Sequence, residues 1–195
     1  LQKKKKFKYS TKQLIKVKKL DGMDKFIISE MIKDGRIKYT TLAEKLKVTP
    51  AAIKERIEKL LKLQIIKPSV LLNQGSFFPL TAIIGIEGDA DCVKILTKKF
   101  RNCPLVVSCT KTSGMHNLII HAVAKNIQQL ESFLNNQIRA EPGVKHIEVN
   151  IGDVSSSSEF IPLKVHYFKS PEYAPCGIRY NEEKRCLNCP AFEKE

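Results

Sequence analysis

From residue 22 to residue 61 apolar side chains recur every three or four positions, with mostly lysine and glutamate between them. That period marks amphipathic helices. In GMDKFIISEMIKDGR the residues Met23, Phe26, Ile27 and Met31, with Ile28 and Ile32 between, share helical spacing, and Asp34-Gly35 closes the helix. YTTLAEKLKV repeats the pattern in a shorter helix, with Thr40 or Thr41 expected as N-cap and Leu42, Ala43 and Leu46 inward. A third helix opens on Thr49 as N-cap, with Pro50 at the first helical position, where a missing N–H costs nothing. Its buried stripe is Ile53, Ile57, Leu60 and Leu61; its outer side carries Ala51, Lys54, Glu55 and Lys59. IIKPSVLLN then reads as a short strand leaving this unit, which gives it a winged-helix-like outline.

From residue 79 the period alternates between two and 3.6. LTAIIGIEG is a strand, DADCVKILTKKFRN a helix, LVVSCTKTSG and HNLIIHAVA strands, NIQQLESFLNNQIRA a helix and GVKHIEVNIG a last strand. The order βαββαβ predicts a ferredoxin-like, α+β domain: four antiparallel strands with two helices on one face. The uncovered face of such a sheet is expected to meet a second copy, so a homodimer or higher homo-oligomer is predicted. The organisation that follows is a basic arm over 1–19, a helix-turn-helix domain over 20–72, a linker over 73–78, the ferredoxin-like domain over 79–152, and a polar connector with a Cys-rich tail over 153–195.

Charge changes the picture of the first unit. The chain carries a formal +14, and residues 1–67 alone hold 20 Lys/Arg against 7 Asp/Glu. A field so concentrated attracts a polyanion, because neutralised phosphates release condensed counterions. Two short helices joined by a tight turn, the second small at its start and basic outside, have the form of a helix-turn-helix whose second helix enters the major groove of double-stranded DNA. The residues expected there are Thr49, Ala51, Lys54, Arg56 and Lys59, with Lys38 and Tyr39 near phosphates. No run of apolar residues reaches membrane-spanning length and none resembles a signal peptide, so a soluble, cytoplasmic protein is expected.

Specific motifs carry a resemblance. L-D-x-x-D-x-x-I at 20–27, D-G-R at 34–36, L-A-E-K-L at 42–46, T-P-A-A-I-x-x-R-I-x-x-L at 49–60 and the Ile pair at 65–66 resemble the N-terminal domain of the Lrp/AsnC transcription regulators of archaea and bacteria. Where that family usually has glycine before the Ile pair this chain has Gln64, and where it often has a basic residue before the recognition-helix arginine this chain has Glu55. The resemblance extends to residue 152 and implies that the second domain binds an amino acid or another small molecule and forms oligomers. The family's G-x-x-D effector motif falls on Gly114, Met115, His116 and Asn117, so the usual carboxylate is replaced by an amide. The same residues also read simply as a turn with Gly114 at positive φ and Asn117 capping a strand. Two other functions stay in view. One is a chromatin-like architectural protein using the QKKKKFK arm. The other is the tetrapyrrole decarboxylase activity of some two-domain relatives, but no paired carboxylates or nucleophile–base set supports an enzyme here.

The tail poses a separate question. Cys186 and Cys189 form a C-x-x-C pair, Cys176 stands ten residues earlier and His166 ten before that. Two thiolates two residues apart can face one tetrahedral ion, so His166, Cys176, Cys186 and Cys189 are the expected ligands of a zinc ion. An iron-based cluster, a redox dithiol or no site are the alternatives. Cys92, Cys103 and Cys109 lack such neighbours and read as buried thiols.

Overall fold

A computed structural model describes residues 20–153, 159–164, 172–183 and 185–192. The chain divides between Ser69 and Val70 into two compact units.

The first unit is three helices, α1 (Gly22–Lys33), α2 (Tyr39–Leu46) and α3 (Pro50–Lys62). Asp21 starts α1 through a capping box: its carboxylate accepts from the Asp24 N–H at 2.8 Å while the Asp24 carboxylate faces back to the Asp21 N–H. Ile27, Leu42, Ala43, Ile53, Ile57 and Leu60 close the core, with Phe26, Ile28, Met31 and Leu46 packed around it. Four sequence expectations are corrected. Ile32 lies outside the core at 80% exposure, and Leu61 is partly exposed at the edge of its stripe. Neither threonine caps α2; the cap is Lys38, with no side-chain bond, and Thr40 and Thr41 lie inside the helix. No wing strand belongs to this unit among the described residues, because the expected strand shrinks to Leu72–Asn73 in the second unit.

Glu30, buried on α1, takes Lys33 and Lys45 as partners, the second tying α1 to α2. Hydrogen bonds from these two ammonium groups hold its carboxyl at about 2, against 4.5 without them. The lower folded value means the contribution is complete above 4.5 and lost as pH falls toward 2. Circular-dichroism melts should therefore show the helical unit losing melting temperature across that window, and Glu30→Gln should remove part of the dependence. A second effect is local. Gln64 sits at φ 55°, in the left-handed region where the family usually places glycine. A non-glycine residue there costs on the order of 1 kcal/mol, so Gln64→Gly should raise unfolding free energy by about that amount in urea titrations.

The second unit holds a four-stranded antiparallel sheet, β2 (Leu80–Gly88), β3 (Val106–Lys111), β4 (Leu118–Ala124) and β5 (Val144–Asp153), in the order β3-β4-β2-β5. This is the ferredoxin-like order. A two-residue ribbon precedes and follows it, β1 (Leu72–Asn73) pairing with β6 (Phe160–Ile161), and a single helical turn, α4 (Gln74–Phe77), leads from β1 into the sheet. Two longer helices cover one face. α5 (Ala90–Lys99) follows β2, and α6 (Ile127–Phe133) continues as a π-helical stretch over Leu134–Arg139 where the periodicity predicts uninterrupted α-helix. Ala82, Ile84, Ile86, Leu96, Phe100, Leu118, Ile120, Phe133 and Ile138 form the core between sheet and helices. Gly143 makes the turn into β5 possible: φ is +88° there, and a Cβ would fall 2.3 Å from the Asp89 carboxylate that caps α5. The other face of the sheet bears Ile83 and Ile119, both exposed, among Thr81, His121, His146 and Glu148.

Candidate nucleic-acid interface and effector turn

The turn between α2 and α3 is Lys47-Val48-Thr49. Lys47 ends α2 in the left-handed conformation at φ 54°, and the N–H groups of Lys47 and Val48 both return to the Ala43 carbonyl region. Thr49 Oγ1 then accepts from the Ala52 N–H at 3.2 Å, with Pro50 at the start of α3. The geometry leaves Thr49 and Ala51 exposed at the N-terminus of α3, so backbone can approach a groove closely there. Lys54 is exposed one turn on, held loosely by Glu58 at 3.9 Å, and Lys38 and Tyr39 are exposed at the start of α2. All of these side chains are open to solvent.

Arg56 is placed differently from the expectation that puts it at DNA. Its Nη1 donates to Asp21 Oδ2 at 2.6 Å and to Asp24 Oδ1 at 2.8 Å, and Asp24 is wholly buried. The Asp24 N–H and then Arg56 hold the Asp21 carboxyl below its ordinary range, and the two carboxylates raise the guanidinium in turn. Arg56 thus locks the start of α1 against α3. Lys59 shares the duty at 3.5 Å from Asp24 while keeping about half its side chain in solvent.

In the second unit, the β3–β4 turn carries Gly114, Met115, His116 and Asn117. Gly114 does not adopt positive φ and a Cβ would meet nothing there, so neither conformation nor space demands glycine; Met115 projects into solvent. Asn117 is fully engaged in structure: its Oδ1 accepts from the Gly88 N–H at 3.1 Å and its Nδ2 donates to the Gly88 carbonyl at 2.5 Å. His116 lies flat over Gly85, whose missing side chain makes the seat, since a Cβ would stand 2.8 Å from the ring. The ring stacks on His146 with centroids 6.0 Å apart, and Nε2 lies 3.5 Å from a Glu148 oxygen in ion-pair rather than hydrogen-bond geometry. His146 and Glu148 arrive by register, Glu87 pairing with His146 and Gly85 with Glu148. Sequence reading missed both; only the pairing of β5 with β2 brings them to the turn.

Residues 20–61 match the AsnC-type helix-turn-helix domain, and residues 81–152 match the Lrp/AsnC ligand binding domain. An uncharacterised HTH-type transcriptional regulator of Pyrococcus horikoshii is 36% identical over 125 residues, which is 60% of this chain and 79% of the relative. This chain belongs to the Lrp/AsnC family. It is a transcriptional regulator of that type, with a helix-turn-helix domain and a ligand-binding domain. A counterpart in Pyrococcus furiosus is 35% identical over 120 residues, 59% of this chain and 77% of that one. Among solved structures, Escherichia coli AsnC aligns with a TM-score of 0.63 at 22% identity, covering 70% of this chain and 94% of its own. A Neisseria meningitidis regulator solved with L-Met aligns at 0.64 and 20% identity, covering 74% and 96%. These two share the fold. Among the described residues no helix is long and apolar enough to cross a membrane.

Beyond the Lrp/AsnC match, the C-terminal segment runs along one face of the helix that begins at α6. Gln129 Nε2 donates to the Asn188 carbonyl at 2.5 Å, the Leu187 N–H donates to Ser132 Oγ at 2.8 Å, and Asn136 Nδ2 donates to the Arg185 carbonyl at 3.0 Å. Cys186 and Cys189 are buried there, and Cys176 is half-buried at the tip of a tight turn. Cys103, in the loop from α5 to β3, is buried beside them: burial first, then the Cys176 and Cys189 thiols, push it up to about 12. Burial and then Cys103, Cys189 and Cys176 push Cys186 well above the usual thiol range. His166 lies outside the described residues. Among those described, no three His, Cys, Asp or Glu side chains close to the spacing of a bound ion.

Proposed function

We propose that this Lrp/AsnC regulator binds operator duplexes through the N-terminal end of α3, acts as a dimer or larger oligomer, and answers to a small molecule at the β3–β4 turn. The observation that carries the reading is the exposed Thr49, Ala51 and Lys54 edge at the start of α3, together with the exposure of Lys38 and Tyr39 at the start of α2. Small residues there let the helix enter a groove while the lysines hold phosphates on either side. Arg56 positions that helix, and Lys59 combines positioning with a reach to phosphate.

Two further features support the rest. Ile83 and Ile119 on the helix-free face of the sheet offer apolar area that a second copy would cover. At the turn, His116, His146 and Glu148 stand where the family's carboxylate motif would act, while Asn117 is committed to Gly88. The effector therefore meets imidazole and a neighbouring carboxylate, a pattern suited to a ligand with both a hydrogen-bond donor and an acceptor. The test is selection of duplexes from a random pool followed by affinity measurement at one salt concentration. A selected duplex should bind at least about 1,000-fold more tightly than a scrambled one. A ratio near one would instead identify an architectural DNA-binding protein.

A further inference from the structure

We propose that Cys103, Cys176, Cys186 and Cys189 are the four thiolate ligands of one zinc ion, which staples the C-terminal segment onto the ligand-binding domain. Three separate pieces of chain bring them together. Cys103 comes from the loop after α5, closed by the Cys103 N–H to Phe100 carbonyl bond at 3.3 Å and the Val106 N–H to Cys103 carbonyl bond at 3.1 Å. Cys176 comes from a turn closed by Gly177 N–H to Ala174 carbonyl and Ala174 N–H to Ile178 carbonyl bonds, both 2.8 Å. Cys186 and Cys189 come from the C-x-x-C turn seated on Gln129, Ser132 and Asn136. Cys103, Cys186 and Cys189 belong to one buried cluster, with Cys176 packed against it, and each of the four lies within electrostatic reach of at least one other.

Four soft sulfur donors with no oxygen ligand among them suit zinc in tetrahedral coordination, and one C-x-x-C turn joined by two single cysteines is a spacing such sites use. The segment has few large apolar side chains, yet it buries its cysteines rather than its Tyr173, Tyr180 or Leu187, all of which are exposed. A thiol gains less from burial than leucine or tyrosine, so the hydrophobic effect alone does not favour this choice. Backbone conformation fits as well: Gly177, directly after Cys176, has φ +88°, and Asn188, inside the C-x-x-C, has φ +47°. Such residues turn the chain back on itself, the arrangement that aims both sulfurs of a C-x-x-C at one point.

Zinc with four thiolates carries two net negative charges; Lys164, anchored on the Val106 carbonyl at 2.7 Å, offsets part of this near Cys103, while Lys99 near Cys186 is shared with Glu141 at 3.6 Å. Among the described residues no three candidate ligands stand at ion spacing, so binding would have to draw the four thiols together. Cys103 takes the fourth position that spacing along the chain assigns to His166. Sequence alone could not choose it, because Cys103 precedes Cys176 by more than seventy residues.

The test uses the full chain, purified without chelator or added zinc. Metal analysis should give one zinc per chain, and X-ray absorption at the zinc edge should show four sulfur neighbours at about 2.3 Å. Cys103→Ser should lose zinc to a competing chelator at least tenfold more readily, whereas His166→Ala should hold it like the unaltered protein. Stripping the metal should open the segment to trypsin at Arg185. Three sulfurs with one nitrogen, full retention in Cys103→Ser, iron in place of zinc, or no uptake of added zinc would each overturn the assignment. If Cys103→Ser fails to fold, the absorption spectrum of the unaltered protein decides. Duplex binding by the first unit is read separately, so failure here leaves the regulator assignment standing.

Discussion

Lys38→Ala combined with Lys54→Ala is expected to weaken binding to every duplex by roughly tenfold at moderate salt, and to reduce the slope of log affinity against log salt by about 1.8. Each neutralised phosphate contributes about 0.9 to that slope through counterion release, so two lost contacts set the size of the change. Both side chains are exposed, and among the described residues Lys54 is held only by the long contact with Glu58 at 3.9 Å. Folding should therefore be unaffected, and the loss should be similar for selected and scrambled sequences. Fluorescence anisotropy across a salt series measures it. An unchanged slope would remove these two lysines from the DNA face.

The second large effect concerns Arg56. Arg56→Ala should destabilise the three-helix unit by about 3 kcal/mol, because removing one partner of a buried ion pair leaves Asp24 charged and poorly compensated. Lys59, at 3.5 Å from Asp24, keeps the loss at the low end of the usual range. For a small unit that is a large share of total stability. Urea unfolding followed by helical signal gives the number. Below the melting transition, the variant that remains folded should show the parental salt slope, which separates a residue that positions α3 from one that touches phosphate. A slope reduced by about one, with stability intact, would return Arg56 to the DNA.

The helices and strands were legible because their apolar periods, near 3.6 and two, are written along the chain. What escaped is what depends on partners far apart in sequence. Arg56 looks like a DNA-facing arginine by its place on α3, and only folding reveals that the aspartates of the L-D-x-x-D motif claim it. His146 and Glu148 were invisible as partners of His116 because strand register sets their position. Gln64 departs from the family's usual glycine by sequence alone, but the physical meaning of that departure, a left-handed backbone without glycine, needs φ. The π-helical stretch left no trace in apolar spacing, since Leu134 and Ile138 face inward in either kind of helix.

Asn117 grips Gly88 by both its N–H and its carbonyl, and the next residue, Asp89, caps α5. The β3–β4 loop cannot tilt without pulling on that grip. A molecule leaning on His116, as proposed above, would thus act as a hand on a lever whose far end is the first turn of α5.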